Sequence, residues 1–228
     1  MTRPAMFAAA CLLLAACTTT NVKSATGLPT APPENARVLI AQPDIELSVL
    51  TAPGLLESRA DWATSARTNM QAAVEATLKD RSHRLTVLDP ATAMEGREGQ
   101  VLRLHGAVGA SILAYGLYGA GLPSKTGFDW TLGEGARLLA VRYSSDYALF
   151  VHGRGSFSSG GRVAMVIGAA ALGVSLPMGG QEAYASLVEL KTGRVVWFNQ
   201  AVAGPAADMR SPEGARLLTG ALLKDLPL

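Results

Sequence analysis

The chain has 228 residues, 49% of them hydrophobic and 17% charged, enough apolar side chain for one ordinary core and too much for a disordered segment. Twenty Lys and Arg stand against 18 Asp and Glu, with three His, for a formal charge of +2. That balance excludes a partner held by phosphate-backbone neutralisation, so no nucleic acid is expected.

Met1 to Ala16 reads as a signal peptide, with Arg3 as its positive start and the uncharged stretch from Ala5 to Ala16 too short to span a bilayer. Its end, Leu14-Ala15-Ala16-Cys17, looks like a bacterial lipobox: the small residues suit lipoprotein signal peptidase, and the Cys17 sulfur takes diacylglycerol before cleavage. A plain Ala-x-Ala cleavage with Cys17 incidental is the alternative. With Cys11 removed and Cys17 acylated, the mature chain has no free thiol and no disulfide, and its only covalent addition is the lipid. Acylation on this scale exceeds the two-signal threshold for lasting attachment. Thr18 rather than Asp after the cysteine resembles outer-membrane sorting, so the expected location is the periplasmic face of the outer membrane. Residues 17–36, rich in Thr, Ser, Ala and Pro, read as the lipidated cysteine and a flexible tether, reaching ~24 Å as a coil and ~60 Å if extended.

Residues 37–228 read as one periplasmic domain. Arg37 to Leu50 is a strand broken at Pro43. Ser58 and Asp61 form a capping-box-like start for an amphipathic helix carrying Trp62, Ala66, Met70, Ala73, Val74 and Leu78. Arg84 to Leu88 is a second strand, and the strand, helix, strand order predicts a parallel pair. A glycine-weakened helix opens at Val101. The uncharged stretch Gly106 to Ser124 reads as buried helix and loop rather than a membrane span, because five glycines interrupt it. Thr131 and Glu134 suggest a further capping box. Asp146 to Phe157 is a strand covered on one face and partly on the other; Ala183 to Leu190 and Arg194 to Val202 form a hairpin about Gly193. Ser211 and Pro212 then start a closing helix. The fold class is α/β: a single mixed sheet of about five strands, helices packed mainly on one face, and a C-terminal β-hairpin followed by a helix.

One local pattern adds to this. The helix before Ser145-Asp146-Tyr147-Ala148-Leu149-Phe150-Val151, an insertion, then Tyr184 to Leu190 and Thr192-Gly193-Arg194-Val195-Val196 resembles the periplasmic domain of the CsgG-like lipoproteins, whose fold is also like LpoB and the N-terminal domain of TolB. The resemblance implies a non-enzymatic envelope role, a secretion channel in the curli case and a cell-wall synthase activator in the LpoB case. The insertion here, 156–181, has the length of one membrane hairpin, but Val163 to Leu172 shows no in-out alternation.

Chemistry is thinly signalled. His83, His105 and His152 fall on a loop, a helix and a strand without metal-ligand spacing, and no metal or cofactor is expected. A hydrolase reading would have to assemble Ser156, His152 and Asp146. Gly153, Gly155, Gly160 and Gly161 around Arg154 and Arg162 match neither the dinucleotide fingerprint nor the P-loop, and read as a flexible strand exit. Trp62, Trp130 and Trp197 read as core or sheet-face anchors. The candidate interaction patch is Met165, Val166, Ile167, Leu172, Val174 and Leu176; it packs on its own domain, faces a protein partner or a second copy, or enters a membrane. The function expected is that of a membrane-anchored lipoprotein that binds an envelope protein, against the rivals of a self-assembling channel subunit and an envelope hydrolase.

Overall fold

The computed structural model describes residues 18–25, 32–79, 83–88, 96–119, 121–125 and 127–228. Leu14, Ala15, Ala16 and Cys17 lie outside the described residues, with the rest of the leader and 26–31 of the spacer.

The broken strand is two strands in tandem. β2 (Arg37–Ala41) and β3 (Asp44–Leu50) both run parallel to the long strand β6 (Tyr147–Ser158), one after the other along its edge. Between them lie Gln42 and Pro43, where proline supplies no ladder donor. Beyond β2 lies β5 (Arg84–Leu88), parallel to it as expected, with α1 (Ala60–Leu78) as the crossover. On the other side of β6, β7 (Gln181–Glu189) and β8 (Val195–Val202) form the antiparallel hairpin, turning at Gly193 with φ +75°. The short β4 (Leu56–Ser58) pairs with β3.

The α/β class and mixed sheet hold, but among the described residues the sheet has eight strands rather than about five. One of the extra strands is β1 (Thr19–Ser24), in a stretch expected to be tether. It pairs antiparallel with β8 from Thr19↔Val202 to Ser24↔Trp197 and fills an edge of β8 that would otherwise leave backbone donors and acceptors unpaired. The order is β1-β8-β7-β6-β2-β5.

Helices cover both faces, not mainly one. Against one face, α1 and α5 (Pro212–Leu222) pack Met70, Val74, Leu218 and Leu222 on Val38, Ile40, Leu149 and Trp197. Against the other, α2 (Arg97–Ser111) and α3 (Arg137–Tyr143) pack Val101 and Leu139 on Leu39, Ala148, Phe150 and Phe198. The reason is visible in β6 itself, where Leu149 and Val151 point one way, Ala148 and Phe150 the other, and all four are buried. Fully burying each such large side chain is worth roughly 1.5–3 kcal/mol, which favours a three-layer domain over a half-solvated sheet.

Local caps shift in two places. Ser58 is engaged in β4 opposite Ser48, so α1 starts after Arg59, whose guanidinium pairs with Asp61 at 2.6 Å. The expected Thr131 and Glu134 capping box does not form: the short 3₁₀ turn Glu134–Ala136 starts at Gly133 without a side-chain cap, Thr131 Oγ1 accepts from the Gly133 N–H at 2.9 Å just before it, and α3 follows. Ser211 caps α5 as expected, accepting from the Gly214 N–H at 3.0 Å with Pro212 in the first turn. Among the described residues no helix is long and apolar enough to cross a membrane. Gly106 to Ser111 completes α2, which continues as a π-helical turn, Ile112–Leu117.

Candidate interaction surface and a buried histidine pair

At the end of β6 the chain leaves the sheet as α4 (Gly160–Ala171), capped by Ser159, whose hydroxyl accepts from the Arg162 N–H at 3.1 Å. Arg162 is the only charged residue between Ser159 and Gln181, and it turns inward, 5% exposed. Its guanidinium donates to the Pro177 carbonyl at 2.8 and 3.2 Å and to the Ala52 carbonyl at 3.4 Å. One buried cation thus ties the first turn of α4 to the strap 172–180 and to the turn between β3 and β4. Gly160 and Gly161 begin the helix, while Gly153 and Gly155 stay within the β6 ladder, so the glycines form neither a phosphate cradle nor a flexible exit.

The rest of the segment faces outward. Met165, Ile167, Leu172 and Val174 are 44%, 66%, 84% and 52% exposed, with Val166 and Leu176 half-buried beside them. A helix apolar all round and uncharged beyond its first turn belongs against another apolar body, because isolated exposed leucines are ordinary but a contiguous apolar patch marks a contact. Beside it runs a groove bordered by Val163, Met178, Trp62 and Phe157. The Trp62 and Phe157 rings meet edge-on at 5.6 Å. Arg210 lies 3.3 Å over Phe157, and Arg59 lies 4.1 Å over Trp62. Aromatic and Arg side chains next to an apolar patch are the composition that binding interfaces favour.

Thr18 lies at this same end of the sheet. Thr18 Oγ1 accepts from the Gly204 N–H at 3.4 Å, just past β8, and Ala203 N–H donates to the Gln181 carbonyl at 2.9 Å, where the strap rejoins β7.

On the other face of the sheet is a polar arrangement that local spacing does not announce. His105 Nδ1 lies 2.9 Å from His152 Nε2, and His105 Nε2 lies 2.5 Å from Ser186 Oγ. His152 Nδ1 in turn faces Asp44 Oδ2 at 3.2 Å. The His152 ring, with help from Arg154, holds the Asp44 carboxyl down at about 2, and burial holds His105 well below the usual imidazole value. A neutral pair of rings is satisfied when His105 donates from Nδ1 to His152 Nε2 and accepts at Nε2 from the Ser186 hydroxyl. Phe150 stacks on His105 at 4.0 Å and Tyr184 on His152 at 4.7 Å.

This is the order of groups in a nucleophile relay, yet Ser186 has no exposed surface for a substrate to reach. The hydrolase set read from sequence is not brought together. Ser156 and Asp146 lie four and six residues from His152 along one strand, about 13 and 20 Å at strand rise. Asp146 instead pairs with Arg37 at 3.2 Å, and that guanidinium lowers its carboxyl pKa. Among the described residues no cluster of three His, Cys, Asp or Glu, His83 included, could hold a metal. Trp197 is a core anchor and Trp62 a groove residue, while Trp130 is half-buried under Lys125. Sequence reasoning missed the His105–His152 contact because the residues are 47 apart and meet only when α2 lies across β6.

No protein-family model and no curated protein matches the chain. Among solved structures it is similar to the PelC dodecamer from Paraburkholderia phytofirmans, at 12% identity over 92% of this chain and 98% of that one, with a TM-score of 0.40. It is also similar to the LpoB C-terminal domain from Salmonella enterica, at 14% identity over 79% of this chain and 87% of that one, with a TM-score of 0.28.

Proposed function

We propose that the chain is an outer-membrane-anchored periplasmic lipoprotein that acts without catalysis, as a protein-interaction or assembly factor of the cell envelope. The observation that carries the reading is the outward apolar face of α4 and its strap, uncharged from Val163 to Gln181 and set beside the Trp62 and Phe157 groove. Thr18 at Gly204 adds an orientation: lipid on Cys17 holds this face on the membrane side of the domain, where it meets a partner at or in the bilayer. The lipid is the only covalent group required, and the balanced charge suits a protein partner rather than nucleic acid.

The same exposed face also serves the rival reading, a subunit that assembles with copies of itself into a channel. Light scattering on the full-length lipidated protein in mild detergent separates the two. A monomer or dimer is expected of an adaptor; a ring-sized oligomer replaces the adaptor with the channel. A hydrolase, the third reading, requires activity lost in His152→Ala, and none is expected because the serine of the relay is enclosed.

A further inference from the structure

We infer that the crevice at the break between β2 and β3 is a binding site for a small anionic group, a carboxylate or a phosphoryl, held by Arg67, Arg103 and Arg154. The crevice has a volume of about 450 Å³, within the usual range for small-ligand sites. It opens where β2 ends at Ala41 and the chain steps through Gln42 and Pro43 into β3, with α1 on one side and α2 on the other. In open α/β sheets, ligands bind in this position, outside the carboxyl ends of parallel strands where flanking helices part to opposite faces.

Three arginines line it from three elements: Arg67 from α1, Arg103 from α2 and Arg154 from β6. One acidic residue, Asp44, lines it with them. Asp44 and Glu46 already engage Arg154, at 3.3 and 3.2 Å. Arg67 and Arg103 have no ion-pair partner among the described residues. Arginine keeps its proton, and its planar fork matches two oxygens of a carboxylate or phosphoryl. The 95% buried ring of His152 also lines the crevice, and Leu102 and Phe150 add an apolar wall for a short stem.

The test is titration calorimetry of the full-length protein in detergent at low salt, with inorganic phosphate, acetate and, as the neutral isostere, acetamide. Saturable binding of phosphate or acetate but not acetamide is expected, and which anion binds identifies the group. Arg67→Gln and Arg103→Gln are each expected to weaken it by about tenfold or more, as loss of one charge-assisted hydrogen bond does. Arg216→Gln, on the exposed part of α5 beside Glu213, is expected to bind as the wild type. Anions that bind no better than acetamide to the wild type overturn the inference, as does undiminished binding in folded Arg67 and Arg103 variants.

Discussion

His105 and His152 share a 2.9 Å contact between Nδ1 and Nε2 inside the domain, with Asp44 at one end of the chain of groups and Ser186 at the other. The pair is sandwiched between Phe150 and Tyr184, and Tyr184 stacks in turn on Phe198 at 5.4 Å. It cross-links α2 to the centre of the sheet through groups whose protonation depends on folding.

Acid should therefore destabilise the protein in two stages. The unfolded His105 takes up a proton near pH 6.5, while the folded ring, held well lower by burial, does not. Below about 6.5 the unfolded state binds more protons, and stability falls by up to about 1.4 kcal/mol per pH unit for this group. Asp44, folded at about 2, contributes stability that is present above its unfolded value of about 3.9 and is lost as pH falls between the two. Urea unfolding at pH 5, 6 and 7 checks the first stage. His105→Phe keeps the stack on Phe150 but strands Ser186 and His152, costing roughly 1–3 kcal/mol at pH 7 and flattening the slope. An unchanged slope in the variant would assign the titration elsewhere.

Gly109 gives a prediction whose sign discriminates. A Cβ there would overlap the Tyr184 ring, which is packed between His152 and Phe198 and has nowhere to go. Gly109→Ala should cost roughly 1–3 kcal/mol by overpacking. A gain of roughly 0.5–1 kcal/mol, the usual result in a free helix, would mean that α2 does not press on the sheet as described.

Much of this architecture is legible in the residues. The break at Pro43, the parallel pairing of β2 and β5, the Gly193 hairpin and the Ser211 and Pro212 start of α5 all follow from local chemistry. What is not legible depends on distant partners. Thr19–Ser24 has the composition of a tether and becomes a strand because β8 offers an open edge. The second helical layer is half-declared by Ala148 and Phe150, which are apolar on the face opposite Leu149 and Val151. In the sequence Arg162 reads as part of a glycine-rich exit, and only the folded strap supplies the carbonyls that make it a clamp. The patch residues were legible by their lack of charge, but their outward direction was not.

Arg162→Met removes that clamp. The Pro177 and Ala52 carbonyls lose their donor, at a cost of roughly 1–3 kcal/mol, and the strap 172–180 is released. Limited proteolysis should cut within the strap much faster in the variant, while the sheet core stays protected. Equal cleavage rates would show that the strap is held by other contacts.

Cys17→Ser should abolish acylation and move the protein from the membrane fraction to the soluble periplasmic fraction, with intact mass reporting the missing lipid. A variant that stays membrane-bound would place the anchor elsewhere.

The proposed function turns on the outward face of α4 docking a protein beside the lipid anchor. Its most direct test is a photocrosslinking residue placed at Met165 or Ile167 of the full-length protein in intact cells, with Val141 on α3, 82% exposed, as control. Discrete protein adducts at Met165 and Ile167 and none at Val141 are expected. Adducts only to lipid at all three positions, or the same adducts at Val141, would contradict the claim.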